Sequence, residues 1–170
     1  MKKPEVWMRG PIPEVSAMLQ PVAHALLQSV EEVESILLDF DDNLLWTKPA
    51  GMASVGFHLK HLRGVVDRLF TYARAASLSP LQLEYLEREG TPGEESSALL
   101  VARFKEQVEK ALHQLKHTSD DELLAPRGIG RKQIPTNVVG LLFHAAEHTQ
   151  RHVGQLLVTS RWVSHQDVVS

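Results

Sequence analysis

The sequence predicts an all-α protein, a four-helix bundle with short extra helices in its connections. Apolar residues recur at helical spacing in four long segments, and proline, glycine and capping residues separate these segments. No alternation of apolar and polar residues extends far enough to predict a β-strand. A chain of 170 residues suits one core, so we predict a single domain over residues 1–170.

The first predicted helix runs from about Glu14 to Phe40, with apolar side chains every three or four positions. Pro21 lies inside this segment. It is expected to mark the true first turn of the main helix, because proline lacks the N–H that later turns need. The polar residues 41–43 are expected to end the helix.

The second predicted helix runs from about Ser54 to Ser77. Ser54 is a suitable N-cap, because its hydroxyl can accept a hydrogen bond from a free backbone N–H of the first turn. Ser79 and Pro80 then open a shorter helix, with serine as the cap and proline at the first helical position. Residues 90–93, with a glycine at each end, are expected to break this helix.

The third predicted helix runs from about Glu94 to Lys116. After it, Ser119 and Glu122 have the spacing of a capping box on one short turn. Residues 125–135 combine glycine, proline and basic side chains and are predicted to form a loop.

The fourth predicted helix follows Pro135 and runs to about Arg161, with Thr136 or Asn137 as its cap. The four long helices and their short links indicate neighbours of antiparallel type. The order in which the helices pack cannot be read from periodicity.

Composition excludes several classes of protein. The net charge is −3 with histidine neutral, and the basic residues are scattered, so we expect no nucleic-acid binding. There is no cysteine, which excludes disulfides and thiolate ligands and fits a reducing compartment. The first residues lack the apolar stretch of a signal peptide, and no run approaches the roughly 18 apolar residues that span a bilayer. We therefore expect a cytoplasmic protein with no membrane association.

The pattern most relevant to function is a histidine repeat near the C-terminus. His144, His148 and His152 are four residues apart, so in a helix their imidazoles share one face. Two histidines at this spacing can hold one divalent ion, and histidine is the commonest metal ligand. A third ligand would come from the second helix, where His58 and His61 are available.

The helical wheel separates these candidates. His144, His148 and His152 lie along the border of the apolar half of the fourth helix, neither in the core nor fully in water. His61 lies at the equivalent border of the second helix and is the better partner for a border site. His58 falls further inside the apolar arc, where it could hydrogen-bond a ligand or be a neutral core imidazole.

A structural role for the histidines is the alternative. Pairs at i and i+4 arise by chance, and the helix lacks the HExxH motif of zinc proteases. Glu147 points elsewhere on the wheel and is expected to be solvated. The protein would then be a non-catalytic helical bundle that binds a small molecule or a protein partner. Four further histidines are expected to be ordinary surface or helix-end residues: His24, His113, His117 and His165.

Two segments resemble the DinB-like superfamily, which includes YfiT-type proteins: ASVGFHLKHLRGVVDRLFTYAR and HAAEHTQRHVGQL. Members have a serine or threonine opening the second helix and a histidine seven residues later, followed by an apolar residue. They also have His-x-x-x-His followed by glutamine three positions on. The residues of this chain that match are Ser54, His61, Leu62, His148, His152 and Gln155.

The resemblance implies a divalent metal, most often zinc or nickel, bound by His61, His148 and His152. His58 and His144 are extra to this trio and could join or replace a ligand. The family fold is a four-helix bundle in up-down-down-up order, and members often form homodimers. The resemblance names no catalytic residue beyond the ligands.

The function implied is that of a metal-dependent enzyme acting on a small-molecule substrate. Activities assigned to members are transfer of a low-molecular-weight thiol (bacillithiol, mycothiol or glutathione), hydrolysis and isomerisation. A bound divalent ion lowers the pKa of a thiol or a water molecule near it. We therefore expect an S-transferase or hydrolase that directs a thiol or water at a small electrophile.

Overall fold

The computed structural model describes residues 3–166, which form a mostly helical fold with one small antiparallel sheet. The α-helices are α1 (Gln20–Ile36), α2 (Val55–Ala73), α3 (Pro80–Arg88), α4 (Ser97–Lys116) and α5 (Val138–Gln166). The strands are β1 (Pro126–Ile129) and β2 (Ile134–Asn137). Short 3-10 turns lie at Val6–Arg9, Ala17–Leu19, Asp42–Leu44, Pro49–Gly51 and Asp120–Glu122. The predicted single domain also includes residues 1, 2 and 167–170, which lie outside the described residues.

Helix α1 is shorter than the predicted helix from Glu14 to Phe40. Pro21 lies in its first turn, as predicted. Glu14 and Asp39 have φ values of 66° and 62°, in the left-handed region that a right-handed helix cannot contain. The backbone therefore leaves helical geometry near both predicted ends, and the helix occupies only the middle of the segment.

The predicted caps are confirmed. The Ser54 hydroxyl accepts a hydrogen bond from the Phe57 backbone N–H at 3.2 Å and opens α2. Ser79 forms a reciprocal capping box with Gln82 at the start of α3. Ser119 forms a second capping box with Glu122, at the turn Asp120–Glu122. Helix α2 ends at Ala73, before the predicted Ser77, and α4 starts at Ser97, after the predicted Glu94.

The predicted loop over residues 125–135 is wrong, because β1 and β2 pair there as a hairpin. Each strand has four residues, too few to show an alternating pattern, and the hairpin is only partly buried. The Arg127 Nε donates to the Ala73 carbonyl at 2.7 Å, which joins the hairpin to the end of α2. Asn137, one of the two predicted caps, accepts from the Gly140 N–H at 2.8 Å and opens α5.

The four long helices share one core. Helix α2 packs against α4 and α5, and α1 packs against the same two helices. The largest side chains in this core are almost fully buried and include Phe70, Phe104, Leu26, Leu59 and Leu142. The fold is therefore mostly helical, as predicted, with the small sheet as an addition. Within residues 3–166, no helix is both long enough and apolar enough to cross a membrane.

Candidate metal site

Packing of α2 against α5 brings His61, His148 and His152 together. One candidate ligand nitrogen from each ring lies within 4.8 Å of the other two. The Nε2 atoms of His61 and His148 are 3.0 Å apart. The His152 ring centroid lies 4.4 Å from that of His61 and 4.6 Å from that of His148.

All three rings are half-buried, as their border positions on the helical wheel predicted. Phe57 stacks on His61, with ring centroids 5.3 Å apart and planes 12° apart. Phe57 lies one turn before His61 on α2, so its ring shields one face of the imidazole from water. The trio is therefore neither sealed in the core nor fully exposed.

His61 is held by a carboxylate that the sequence did not reveal. The Nδ1 atom of His61 forms a 2.7 Å hydrogen bond with Oε2 of Glu89. Glu89 is the residue that closes α3, and its side chain is almost fully buried. Its other oxygen accepts from the buried Arg68 guanidinium at 2.5 Å. The hydrogen bond occupies Nδ1 of His61, and the free Nε2 is the atom that faces His148.

His58 lies in the core behind the trio, with 3% of its surface exposed. Its Nδ1 is 3.1 Å from the Nδ1 of His152, so the two rings share a hydrogen bond. Burial, reinforced by repulsion from His61, lowers the pKa of His58 to about 4. His58 is thus a neutral core imidazole with a hydrogen bond to a candidate ligand.

His144 differs from its two neighbours in the repeat, because about half of its side chain is exposed. Its Nδ1 bonds to Glu147 at 2.7 Å, and Glu147 also accepts from Arg151. Glu147 is half-buried, and its carboxylate is bound by His144 on one side and Arg151 on the other. His144, Glu147 and His148 form a second, more exposed group with potential ligand atoms within 4.8 Å of one another.

The electrostatics favour neutral rings at His148 and His152. Burial, followed by repulsion from neighbouring histidines, lowers the pKa of His152 to about 3 and also lowers that of His148. A neutral imidazole offers a lone pair to a cation, whereas an imidazolium does not.

The donor set fits a divalent ion. Two imidazole nitrogens on one tetrahedral zinc, with bonds of about 2.0–2.1 Å, lie roughly 3.3 Å apart. The 3.0 Å between the His61 and His148 Nε2 atoms is close to this value. Imidazole nitrogen suits zinc, nickel, copper and iron.

The fold and the site together define a helical protein with a histidine cluster that could bind a metal. Residues 18–156 match the family model of the DinB superfamily, and the chain therefore belongs to this superfamily. This confirms the resemblance carried by the histidine motifs of α2 and α5.

A solved structure provides a further comparison. A crystal structure of a protein from Streptococcus pneumoniae has a TM-score of 0.63 and 13% sequence identity, covering 88% of this chain and 91% of that one. At this identity the likeness shows the shared fold alone. No curated protein matches the chain.

The buried His58 predicts acid sensitivity of the metal-free protein. Its pKa is about 4 when folded and 6.5 in its ordinary state, so the unfolded chain binds more protons between these values. Stability is therefore lost as the pH falls through this window. Lowering the pH from 7 to 5 should cost about 2 kcal/mol of unfolding free energy through His58 alone.

Urea denaturation across this pH range, with a chelator present, measures the effect. A His58→Leu variant should show a shallower dependence on pH, whereas an exposed control, His113→Ala, should keep the wild-type slope. An unchanged slope in His58→Leu would contradict the assignment of the buried group.

Proposed function

We propose that the protein is a divalent-metal-dependent enzyme, with the ion held by His61, His148 and His152. The observation that carries the proposal is the convergence of three half-buried imidazoles, with ligand nitrogens within 4.8 Å, from two helices. Membership of the DinB superfamily supports it, because metal binding is common in that superfamily.

The chemistry proposed is transfer of a low-molecular-weight thiol to a small electrophile, or hydrolysis of one. The bound ion would supply Lewis-acid character and lower the pKa of a thiol or water molecule beside it. The chain's own residues prepare this environment. Phe57 shields one face of the His61 ring, and His58 anchors the His152 ring from the core. Both contacts restrict ring motion, so the nitrogens stay aimed at a common point.

Zinc or nickel is the ion we propose. The trio supplies only nitrogen ligands, and the sequence contains no cysteine that would favour softer metals. Three protein ligands leave positions open for a substrate or water, which is the arrangement of catalytic rather than structural zinc sites.

We also propose the up-down-down-up bundle order, one domain over residues 1–170, a homodimer and a cytoplasmic location. The pairing of α1 and α2 with both α4 and α5 supports the bundle. Exposed apolar side chains on α5 support a dimer: Phe143, Val158 and Trp162 are each more than half exposed. Val158 and Trp162 are four residues apart and share one face of the helix.

Metal analysis of protein purified without a histidine tag tests the proposal. We expect about one zinc or nickel per chain, because the trio forms one complete site. The loaded protein should transfer bacillithiol, mycothiol or glutathione to an aryl halide faster than the metal-free protein does. Absence of metal after incubation with micromolar zinc or nickel would contradict the proposal.

A non-catalytic bundle with structural histidines is the second candidate. It is favoured by the hydrogen bonds that His58 and His61 already make, to His152 and Glu89. These bonds satisfy buried polar atoms without any ion. One metal per chain with no turnover of any of the three thiols would favour a binding role. No metal at all would favour the structural role.

A further inference from the structure

We propose that Glu89 is a positioning residue, which fixes the tautomer and orientation of the His61 ring so that Nε2 can bind the ion. The inference rests on the proposed metal site and adds a residue outside the trio. A carboxylate that receives the second N–H of a metal-binding imidazole orients the ring and makes the ligating nitrogen more basic.

The tautomer follows from the hydrogen-bond partners. An ionised carboxylate can only accept, so the 2.7 Å contact between Glu89 and Nδ1 places the proton of a neutral His61 ring on Nδ1. The lone pair then lies on Nε2, the atom directed at His148. The opposite tautomer would leave two lone pairs facing each other at the Glu89 contact and would block Nε2 with a proton.

Arg68 holds the carboxylate in place. Its guanidinium donates to the Glu89 oxygen that His61 does not use, and both side chains are nearly buried. The formal charges of Arg68 and Glu89 cancel, which lowers the cost of burying the carboxylate beside His61.

The backbone of α2 leaves room for this arrangement at Gly64. A Cβ atom at Gly64 would overlap the Glu89 oxygen and lie 2.5 Å from the Arg68 guanidinium. Helix α3 is attached to α2 on the same side, since the Tyr85 hydroxyl donates to the Lys60 carbonyl at 3.1 Å. The position of the carboxylate thus depends on a missing side chain in α2 and on the docking of α3.

The Glu89→Gln variant tests the role with almost no change in volume. Its amide has one oxygen, which both Arg68 and His61 need as an acceptor. The guanidinium can only donate, so the oxygen should turn to Arg68 and the NH2 group to Nδ1 of His61. We expect His61 to switch to the Nε2–H tautomer, and zinc affinity to fall roughly 10- to 100-fold.

Two readouts are needed: ¹⁵N shifts of the His61 ring in the metal-free protein, and zinc titration against a competing chelator. The matched control is Glu84→Gln on the same helix, where an exposed carboxylate pairs with Arg88. It should leave both the tautomer and the affinity unchanged. If Glu89→Gln does not fold, Gly64→Ala displaces the carboxylate by another route and should weaken zinc binding in the same way.

The outcomes separate the two proposals. Wild-type protein that binds zinc, together with a Glu89→Gln variant of unchanged tautomer and affinity, would overturn only the positioning role. Wild-type protein that binds no zinc would overturn the proposed function and this inference with it. A tautomer switch accompanied by weaker binding, absent from Glu84→Gln, is the expected result.

Discussion

Replacing His148 by alanine is expected to remove nearly all zinc or nickel binding at the site. Its ring lies close to both of the others, with Nε2 3.0 Å from that of His61 and a centroid 4.6 Å from that of His152. Without it, two nitrogens on different helices remain, which is too few for a three-ligand site. The loss should exceed the roughly 10–100-fold typical of removing a group that only supports a ligand.

Competition with a chelator of known affinity measures this loss. The control is His113→Ala. His113 is an exposed histidine on α4, and its ring lies beside that of His117, away from the candidate ligands. Its affinity for zinc should equal that of the wild type. Wild-type affinity in His148→Ala would refute the proposed ligand set.

The second large effect concerns stability. Phe104 on α4 is fully buried, so Phe104→Ala should lower the free energy of unfolding by about 3–5 kcal/mol through lost contacts and a residual cavity. Helix α4 carries none of the candidate ligands. The molecules that stay folded should therefore bind zinc as the wild type does.

Urea denaturation of the metal-free protein measures the loss of unfolding free energy. Zinc titration at low temperature measures whether the folded variant keeps the wild-type affinity. Leu99→Ala on the same helix is the control, because Leu99 is 43% exposed and its truncation leaves no cavity. Its stability should change by less than about 1 kcal/mol. A similar small loss in Phe104→Ala would contradict the packing described for α4.

Local signals made the helices predictable. A serine cap acts on an N–H only three residues away, so Ser54, Ser79 and Ser119 could be read directly from the sequence. The ends of α1 were harder to predict from the sequence. Apolar spacing continues past Glu14 and Asp39, the residues where the backbone becomes left-handed. The hairpin was missed because four-residue strands carry no usable period.

The candidate site was predictable only in part. His148 and His152 share a helix face by spacing, and both the helical wheel and the resemblance favoured His61. Glu89 could not be selected, because it is one of several acidic residues in and after α3 and lies 28 positions from its partner. Which carboxylate meets His61 depends on how α3 docks onto α2, and that is a property of tertiary packing. A buried glutamate at a helix end is visible only once the fold is known.

The spacing of His61 and His148, 87 positions apart, has a consequence for the whole chain. An ion shared by these residues would act as a removable cross-link that only the native state can form. When the concentration of free ion is 100 times its dissociation constant, binding stabilises the native state by about 2.7 kcal/mol. The melting temperature would then rise with the concentration of free ion. Removal of the ion would lower the stability of the folded protein.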